Sequence, residues 1–127
     1  MSVSKKVLVV EDETSLCDAI VAVLEKNGYD VTAAADGQQG LEAALERHPD
    51  VILLDHLMPT KSGLSMLEEL RKDVWGATAK VIMTTNVSET ENVNRALMQN
   101  VRQYIVKSDI SLEDLVLAVD EALGIAR

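Results

Sequence analysis

Three acidic residues occupy positions from which they could hold a cation or attack phosphorus. Glu11 and Asp12 follow the apolar run Val7–Val10, and Asp55 follows the apolar run Val51–Leu54. Carboxylates that are brought together repel one another, which raises at least one pKa. A hard divalent cation removes that cost, and Mg²⁺ prefers a few carboxylate oxygens together with water and phosphate oxygens. A carboxylate can also act as a nucleophile toward phosphorus and form an acyl phosphate.

A hydroxyl and an ammonium group follow two further apolar runs. Thr84 and Thr85 come after Val81–Met83, and Lys107 comes after Tyr104–Val106. An acyl phosphate carries more negative charge than the carboxylate from which it forms, and Mg²⁺, a lysine and a hydroxyl donor could neutralise that charge. Taken alone, each of these residues has an ordinary explanation as a helix N-terminus, a turn, a strand end or a solvated side chain. Their occurrence after four apolar runs favours a shared site.

The apolar runs alternate with longer amphipathic stretches. The five runs are Val7–Val10, Val31–Ala35, Val51–Leu54, Val81–Met83 and Tyr104–Val106. They are rich in Val, Ile and Leu, and most lack a two-residue alternation, which is typical of strands buried on both faces of a parallel sheet. The stretches between them carry helix-capping pairs and closing glycines: Asp36 with Gln39, Ser88 with Glu91, Ser111 with Asp114, Gly28 and Gly124.

Five strand–helix pairs predict an α/β protein with a doubly wound parallel sheet and right-handed crossovers. Such sheets bind ligands at the carboxyl ends of their strands, where the strand order reverses. The acids, the hydroxyl and the ammonium group all lie at those ends. Because the sequence has no repeat, low-complexity tract or linker, we predict one domain over residues 1–127.

Composition excludes several functions. The net charge of −9 argues against direct binding of nucleic acid by this domain, and against an anionic membrane surface. No apolar segment approaches the roughly 18 residues that a membrane span requires. The single cysteine, Cys17, cannot form an internal disulfide, and we therefore predict a cytoplasmic location.

The sequence resembles the receiver domain of bacterial two-component response regulators, which has the flavodoxin-like fold of the chemotaxis regulators. The segments that carry the resemblance are VLVVEDE, ADGQQGLE, VILLDHLMPTKSG, KVIMTTN and YIVK. They extend over nearly the whole chain, and LLDHLMP followed by Gly63 is a specific signature. The resemblance implies a (βα)5 sheet with strand order 2-1-3-4-5.

The resemblance also implies a phosphoacceptor and a metal site. Asp55 would receive a phosphoryl group from a histidine of a sensor histidine kinase or phosphotransfer protein. Asp12 and Asp55 would bind Mg²⁺ directly, Glu11 would act through water, and the backbone carbonyl of Leu57 would complete the protein ligands. The only chemistry expected of the chain is its own phosphorylation and dephosphorylation, so it is predicted to be a signalling switch.

Three more residues receive roles from the resemblance. Thr85, chosen over Thr84 because the family spacing fits it better, would hydrogen-bond the phosphoryl oxygens. Lys107 would pair with those oxygens. Tyr104 would turn inward as Thr85 moves, which is a two-state element biased by a local charge change.

Three positions near the site are unusual. Asn86 replaces a residue that is usually small in the family and could narrow access to Asp55. Ser108 replaces a proline that usually follows a cis bond, so we expect either a trans bond with a rearranged loop or a strained cis bond. His56 could alter the local pKa or bind a metal, although the sequence favours a loop residue or a partly covered side chain.

Two apolar residues lie away from the core stripes of their helices. Met98 and Leu117 would lie on the face formed by the fourth helix, fifth strand and fifth helix, which commonly carries the output of the family. We predict that this face forms a homodimer or binds an effector. Single exposed apolar residues are also common on protein surfaces, so that simpler explanation stays open.

Three alternatives remain at this point. A pseudo-receiver would use the same fold for protein interaction without being phosphorylated, and Asn86 and Ser108 favour it. A Mg²⁺-dependent phosphatase with an aspartyl nucleophile often has a second acid two residues further on, where this chain has Leu57. A flavin-binding protein of similar topology would need a Ser/Thr/Gly phosphate loop where this chain has Glu11, Asp12 and Glu13.

Overall fold

One parallel sheet organises the molecule. The computed structural model describes residues 4–58, 60–85, 95–96 and 98–126. The strands are β1 (Lys6–Val10), β2 (Asp30–Ala34), β3 (Val51–Asp55), β4 (Val81–Thr85) and β5 (Gln103–Val106). They pair in the order β2-β1-β3-β4-β5, which confirms the predicted flavodoxin-like topology. The apolar runs located these strands to within two residues, and Asp55 and Thr85 are the last residues of β3 and β4, at the carboxyl ends where the sequence predicted them.

Helices cover both faces of the sheet. They are α1 (Thr14–Lys26), α2 (Gly37–Arg47), α3 (Gly63–Leu70) and the C-terminal helix (Leu112–Ala122). Of the fourth predicted helix, the structure describes Arg95, Ala96 and Met98, which are helical. The capping pair Ser88 and Glu91 lies outside the described residues. Among the residues that the structure does describe, no helix is long and apolar enough to cross a membrane.

The predicted capping residues determine where the helices start and stop. The Asp36 side chain accepts a hydrogen bond from the backbone N–H of Gln39, and Ser111 and Asp114 form a complete capping box. Gly28 and Gly124 follow helix ends with φ of +94° and +68°, a conformation in which other residues would be strained.

Two aliphatic cores sandwich the sheet. Val7, Val9 and Leu53 face α1 and the C-terminal helix, whereas Leu8 and Leu54 face α2 and α3. This alternation within single strands explains why the apolar runs are continuous, because both faces are buried. Packing on both faces therefore restrains the strands, and with them the polar residues at their carboxyl ends.

Two glycines let the loop after β3 pack closely. A Cβ atom on Gly63 would lie 2.1 Å from the carbonyl oxygen of Asp55, and one on Gly37 would lie 2.3 Å from the carbonyl oxygen of Lys61. Only glycine permits approaches this close. The first turns of α2 and α3 therefore press on the loop that follows Asp55.

Candidate functional site

The first two acids lie just beyond β1. The backbone N–H of Glu11 donates to the carbonyl oxygen of Ala34 at 3.0 Å, which extends the pairing of β1 with β2. The Glu11 side chain is buried and accepts a hydrogen bond from the backbone N–H of Glu13 at 3.1 Å. Asp12 is exposed. One acid therefore points into the molecule while its neighbour reaches solvent.

The third acid, Asp55, ends β3 in the middle of the sheet. It pairs in register with Thr84 of β4, and only 4% of its surface is exposed. The next residue is held on both sides, because the N–H of His56 donates to Thr84 and its carbonyl oxygen accepts from the N–H of Gly63, each at 2.8 Å. The backbone around Asp55 is therefore closely constrained.

The three acids meet as the sequence predicted. Glu11, Asp12 and Asp55 each offer a carboxylate oxygen, and these oxygens all lie within 4.8 Å of one another. Mg²⁺ binds oxygen at about 2.0–2.1 Å in an octahedron, so its ligand atoms are at most about 4.2 Å apart. Small side-chain movements would close that difference. The number and type of these ligands fit Mg²⁺, and their spacing would fit after such movements.

Lys107 supplies positive charge to this cluster. Its Nζ contacts Glu11 Oε1 and lies 3.2 Å from Asp55 Oδ1. Burial alone lowers the pKa of Lys107, but the hydrogen bonds and charges of Glu11 and Asp55 outweigh burial and raise the pKa above its ordinary value. The lysine therefore stays charged, and the carboxylates of Glu11 and Asp55 share one ammonium group.

One ammonium group does not compensate fully for the crowded carboxylates. Burial is the largest effect on Asp55, followed by the charge of Glu11, and together they raise the pKa of Asp55 from 3.8 to about 7 even though Lys107 acts in the opposite direction. The site thus favours additional positive charge near Asp55. A divalent cation would supply it.

The two threonines at the end of β4 differ in their surroundings. Thr84 lines an apolar cavity of about 310 Å³ below Lys107, between α1 and the C-terminal helix. Thr85 is fully buried and pairs in register with Val106, which directly precedes Lys107. The position of Thr85 is compatible with the predicted switch role, which stays a prediction.

His56 lies in the loop directly after β3, which is one of the two predicted alternatives. It is more deeply buried than the other alternative, a partly covered side chain, because the residue is only 7% exposed. Its backbone hydrogen bonds to β4 and to Gly63 extend the pairing of β3 by one residue, which places the His56 ring in the interior. Tyr104, which is partly buried, has its hydroxyl oxygen 3.5 Å from His56 Nδ1. The alternation of β3, which directs every second side chain to the same face as Leu54, could have revealed this burial.

The remaining predicted residues lie around the cluster. Leu57 is 56% exposed. Ser108 is exposed in a 3₁₀ turn over Lys107–Asp109, and its preceding bond is trans, which is the first of the two predicted arrangements. Asn86 lies outside the described residues. Met98 and Leu117 are 84% and 58% exposed, as their positions off the core stripes predicted.

A five-stranded parallel sheet with an acidic triad and a lysine at its carboxyl edge defines the class of receiver-like α/β proteins. The sequence matches the family model of the response regulator receiver domain over residues 7–120. The chain therefore belongs to the response regulator receiver family, whose members are signalling switches of two-component systems.

Particular relatives agree with this assignment. The transcriptional regulatory protein DltR of Streptococcus agalactiae serotype III is 40% identical over 102 residues, which are 80% of this chain and 45% of DltR. The chain thus spans about half the length of the curated relatives that it matches.

Solved structures are similar over almost the whole chain. The chemotaxis protein CheY4 of Vibrio cholerae has a TM-score of 0.88 and 26% identity, covering 95% of this chain and 100% of CheY4. The receiver domain of the sensor histidine kinase PA1611 of Pseudomonas aeruginosa has a TM-score of 0.86 and 27% identity, covering 96% of this chain and 99% of the other. That structure holds a magnesium ion coordinated in its active-site cleft.

Proposed function

We propose that this chain is a phosphorylation switch whose phosphoacceptor is Asp55. A carboxylate oxygen of Asp55 attacks the phosphorus of a phosphohistidine, the bond between phosphorus and the donor imidazole nitrogen breaks, and an acyl phosphate forms on Asp55. The observation that carries the proposal is the buried Asp55 carboxylate, which lies beside Glu11 and Asp12 and 3.2 Å from the Nζ of Lys107. We propose that the domain extends over residues 1–127.

The acidic residues have separate roles in this proposal. Asp12 and Asp55 would bind Mg²⁺ directly, Glu11 would act through water, and the carbonyl oxygen of Leu57 would complete the protein ligands. When bound, Mg²⁺ neutralises charge on the acids and on the phosphoryl oxygens. Asp55 is fixed by the sheet, so its oxygen is already oriented for attack and little conformational freedom is lost in the reaction.

The other site residues respond to the added charge. Lys107, already paired with Glu11 and Asp55, pairs with a phosphoryl oxygen, and the Thr85 hydroxyl donates a hydrogen bond to another. Tyr104 moves inward with Thr85, and Asn86 and Ser108 modulate access and lifetime. The signal ends when water attacks the phosphorus, the bond between phosphorus and the Asp55 oxygen breaks, inorganic phosphate leaves and the carboxylate is regenerated.

The output face of the switch contains Met98 and Leu117. Both side chains are largely exposed, so they are available for a homodimer or for an effector. The partner that supplies the phosphoryl group is a sensor histidine kinase or a phosphotransfer protein. DltR is named as a transcriptional regulator, and a transcriptional output of this chain would require DNA binding outside the acidic receiver domain.

A second candidate is a pseudo-receiver that binds partners without being phosphorylated. The observation that favours it is the Lys107 ion pair, because an ammonium group held by Glu11 and Asp55 already neutralises part of the charge that Mg²⁺ would neutralise. The two candidates differ in whether the site responds to a phosphoryl mimic.

Thermal unfolding with Mg²⁺ and beryllofluoride, a mimic of the phosphoryl group, separates these candidates. The switch predicts that Mg²⁺ raises the Tm and that beryllofluoride raises it further only when Mg²⁺ is present. Asp55→Asn should abolish the second increase. A wild-type Tm that responds to Mg²⁺ but not to beryllofluoride would favour the pseudo-receiver and contradict the proposed switch.

A further inference from the structure

Tyr104 reaches across the sheet to the residue that follows the phosphoacceptor. It lies on β5 in register with Met83 of β4, so its side chain shares the α2 and α3 face with Met83. Neighbouring strands are about 4.8 Å apart, which places β5 roughly 10 Å from β3. The ring must therefore pass over the carboxyl end of β4, where Thr85 lies, before its hydroxyl comes within 3.5 Å of His56 Nδ1.

His56 is well suited to fix the position of that hydroxyl. His56 is 7% exposed, and its backbone is hydrogen-bonded to Thr84 on one side and to Gly63 on the other, each at 2.8 Å. A residue held this firmly cannot follow a neighbour that moves. In contrast, Tyr104 lies on the edge strand of the sheet and is only partly buried, so its ring has room to move.

We propose that His56 is a positioning residue that sets the resting position of the Tyr104 ring, before any inward movement, through a hydrogen bond from the Tyr104 hydroxyl to Nδ1 of His56. Because His56 is held firmly beside Asp55, an inward movement of Tyr104 with Thr85 changes the distance between the Tyr104 hydroxyl and Nδ1 of His56. The position of Tyr104 is then set by His56 as well as by Thr85. The link to signalling rests on the proposed function, whereas the hydrogen bond itself belongs to the unmodified protein.

The first test needs no phosphoryl group. The chain has two histidines and two tyrosines, so histidine labelled with ¹⁵N gives signals for His56 and His48 only. Tyr104→Phe removes the donor and should shift the Nδ1 resonance of His56 while leaving that of His48 in place. The control is Tyr29→Phe, because the Tyr29 hydroxyl contacts Asp120 instead, and it should leave His56 unchanged. An Nδ1 resonance of His56 that is indifferent to Tyr104→Phe would overturn the proposal.

The second test asks whether the bond positions the ring. With 3-fluorotyrosine in place of tyrosine, ¹⁹F spectra report Tyr104 and, as an internal reference, Tyr29. His56→Phe keeps an aromatic ring but offers no acceptor. We therefore expect the population of a second Tyr104 conformation, read from the ¹⁹F spectrum, to rise at least about three-fold before any phosphorylation. His56→Gln restores a polar acceptor and should recover much of the original signal. Identical Tyr104 spectra in wild type and His56→Phe would refute a positioning role.

The two proposals fail in different ways. If Asp55 accepts no phosphoryl group, the switch proposal is wrong, and the ¹⁵N result still decides whether the hydrogen bond exists. If Asp55 is phosphorylated but Tyr104→Phe leaves the ¹⁵N spectrum of His56 unchanged and His56→Phe leaves the ¹⁹F spectrum of Tyr104 unchanged, His56 has no positioning role. The switch proposal then still stands.

Discussion

At the scale of single residues, charge is the dominant feature of the site. Asp55 is buried beside Glu11, and Lys107 compensates only in part, so the Asp55 carboxyl has a pKa of about 7 instead of 3.8. Crowded carboxylates cost stability in the protein without metal, and the same crowding provides affinity for a cation. The residue types and their positions after strands made this cluster predictable from the sequence.

Asp55→Asn should stabilise the protein at neutral pH in buffer without metal. Between about pH 4 and pH 7 the folded wild type keeps a proton on Asp55 that the unfolded chain has released, so its stability falls as the pH rises through this window. The variant lacks this group, and its advantage should grow to about 1–3 kcal/mol at pH 7 and then level off. Urea unfolding across this pH range, with a chelator present, measures the difference. Parallel stability curves for the two proteins would contradict the raised pKa.

Lys107→Met should strengthen the binding of Mg²⁺. The ammonium group lies 3.2 Å from Asp55 Oδ1, where it repels an incoming cation. Allowing for screening by solvent, its removal should tighten Mg²⁺ binding about ten-fold, as measured by titration calorimetry. Lys61→Met removes a lysine that pairs with Glu69 on α3, and it should leave the affinity unchanged. Weaker Mg²⁺ binding in Lys107→Met would mean that the lysine organises the site more than it repels the metal.

At the scale of elements, local sequence signals located the strands and most helix ends. The capping residues Asp36 and Ser111 act as predicted because each offers an oxygen to a free backbone N–H in the first turn. Contacts between distant segments were not predictable in this way. The burial of His56 depends on pairing with β4 and Gly63, and the carbonyls that Arg71 contacts come from two separate loops.

Gly63→Ala should destabilise the loop that follows Asp55. The added methyl group would lie 2.1 Å from the Asp55 carbonyl oxygen, so backbone must move. We expect a loss of about 1–3 kcal/mol in the free energy of unfolding, together with weaker Mg²⁺ binding. Ser65→Ala, on the exposed side of the same helix, should change stability by less than about 0.5 kcal/mol. Equal effects of the two substitutions would show that the close packing at Gly63 is unimportant.

Arg71→Met should loosen the opposite end of the molecule. The half-buried guanidinium donates to the carbonyl oxygens of Gly76, Ala79 and Gln99 at 2.6–2.8 Å, and burial lowers its pKa. Losing the donors removes the bonds to the carbonyl oxygens of buried Gly76 and Ala79 and partly buried Gln99, which should cost about 2–3 kcal/mol in urea unfolding. Arg102→Met serves as the control because Arg102 is exposed. A loss no larger than that of the control would show that solvent replaces these bonds.

At the scale of the whole molecule, the fold and family followed from strand order and motif together. The alternation of apolar and amphipathic segments predicts a doubly wound sheet, and the segments around Glu11, Asp55 and Lys107 narrow this to the receiver family, which the family match confirms. The sequence does not identify the partner or the output. Both depend on which molecule binds the exposed surface, and that molecule is not part of this chain.

Leu117→Glu should separate folding from output. Leu117 is 58% exposed, so a charge there should change the free energy of unfolding by less than about 0.5 kcal/mol. If the output face is used, the same charge should weaken self-association or effector binding by ten-fold or more, as measured by sedimentation and by pull-down with the phosphorylated protein. Glu113→Gln, at an exposed site near the start of the same helix, provides a comparison. Unchanged stability with unchanged association would remove Leu117 from the output face.

The central claim is that Asp55 accepts a phosphoryl group with the help of Mg²⁺, and intact mass tests it most directly. The protein is incubated with acetyl phosphate, with Mg²⁺ or with a chelator, beside Asp55→Asn. The switch predicts a mass increase of one phosphoryl group that requires Mg²⁺ and is missing in the variant. The account would be contradicted if the wild type stayed unmodified with acetyl phosphate and with a histidine phosphotransfer protein as donor. Binding of Mg²⁺ must be demonstrated separately under the same conditions.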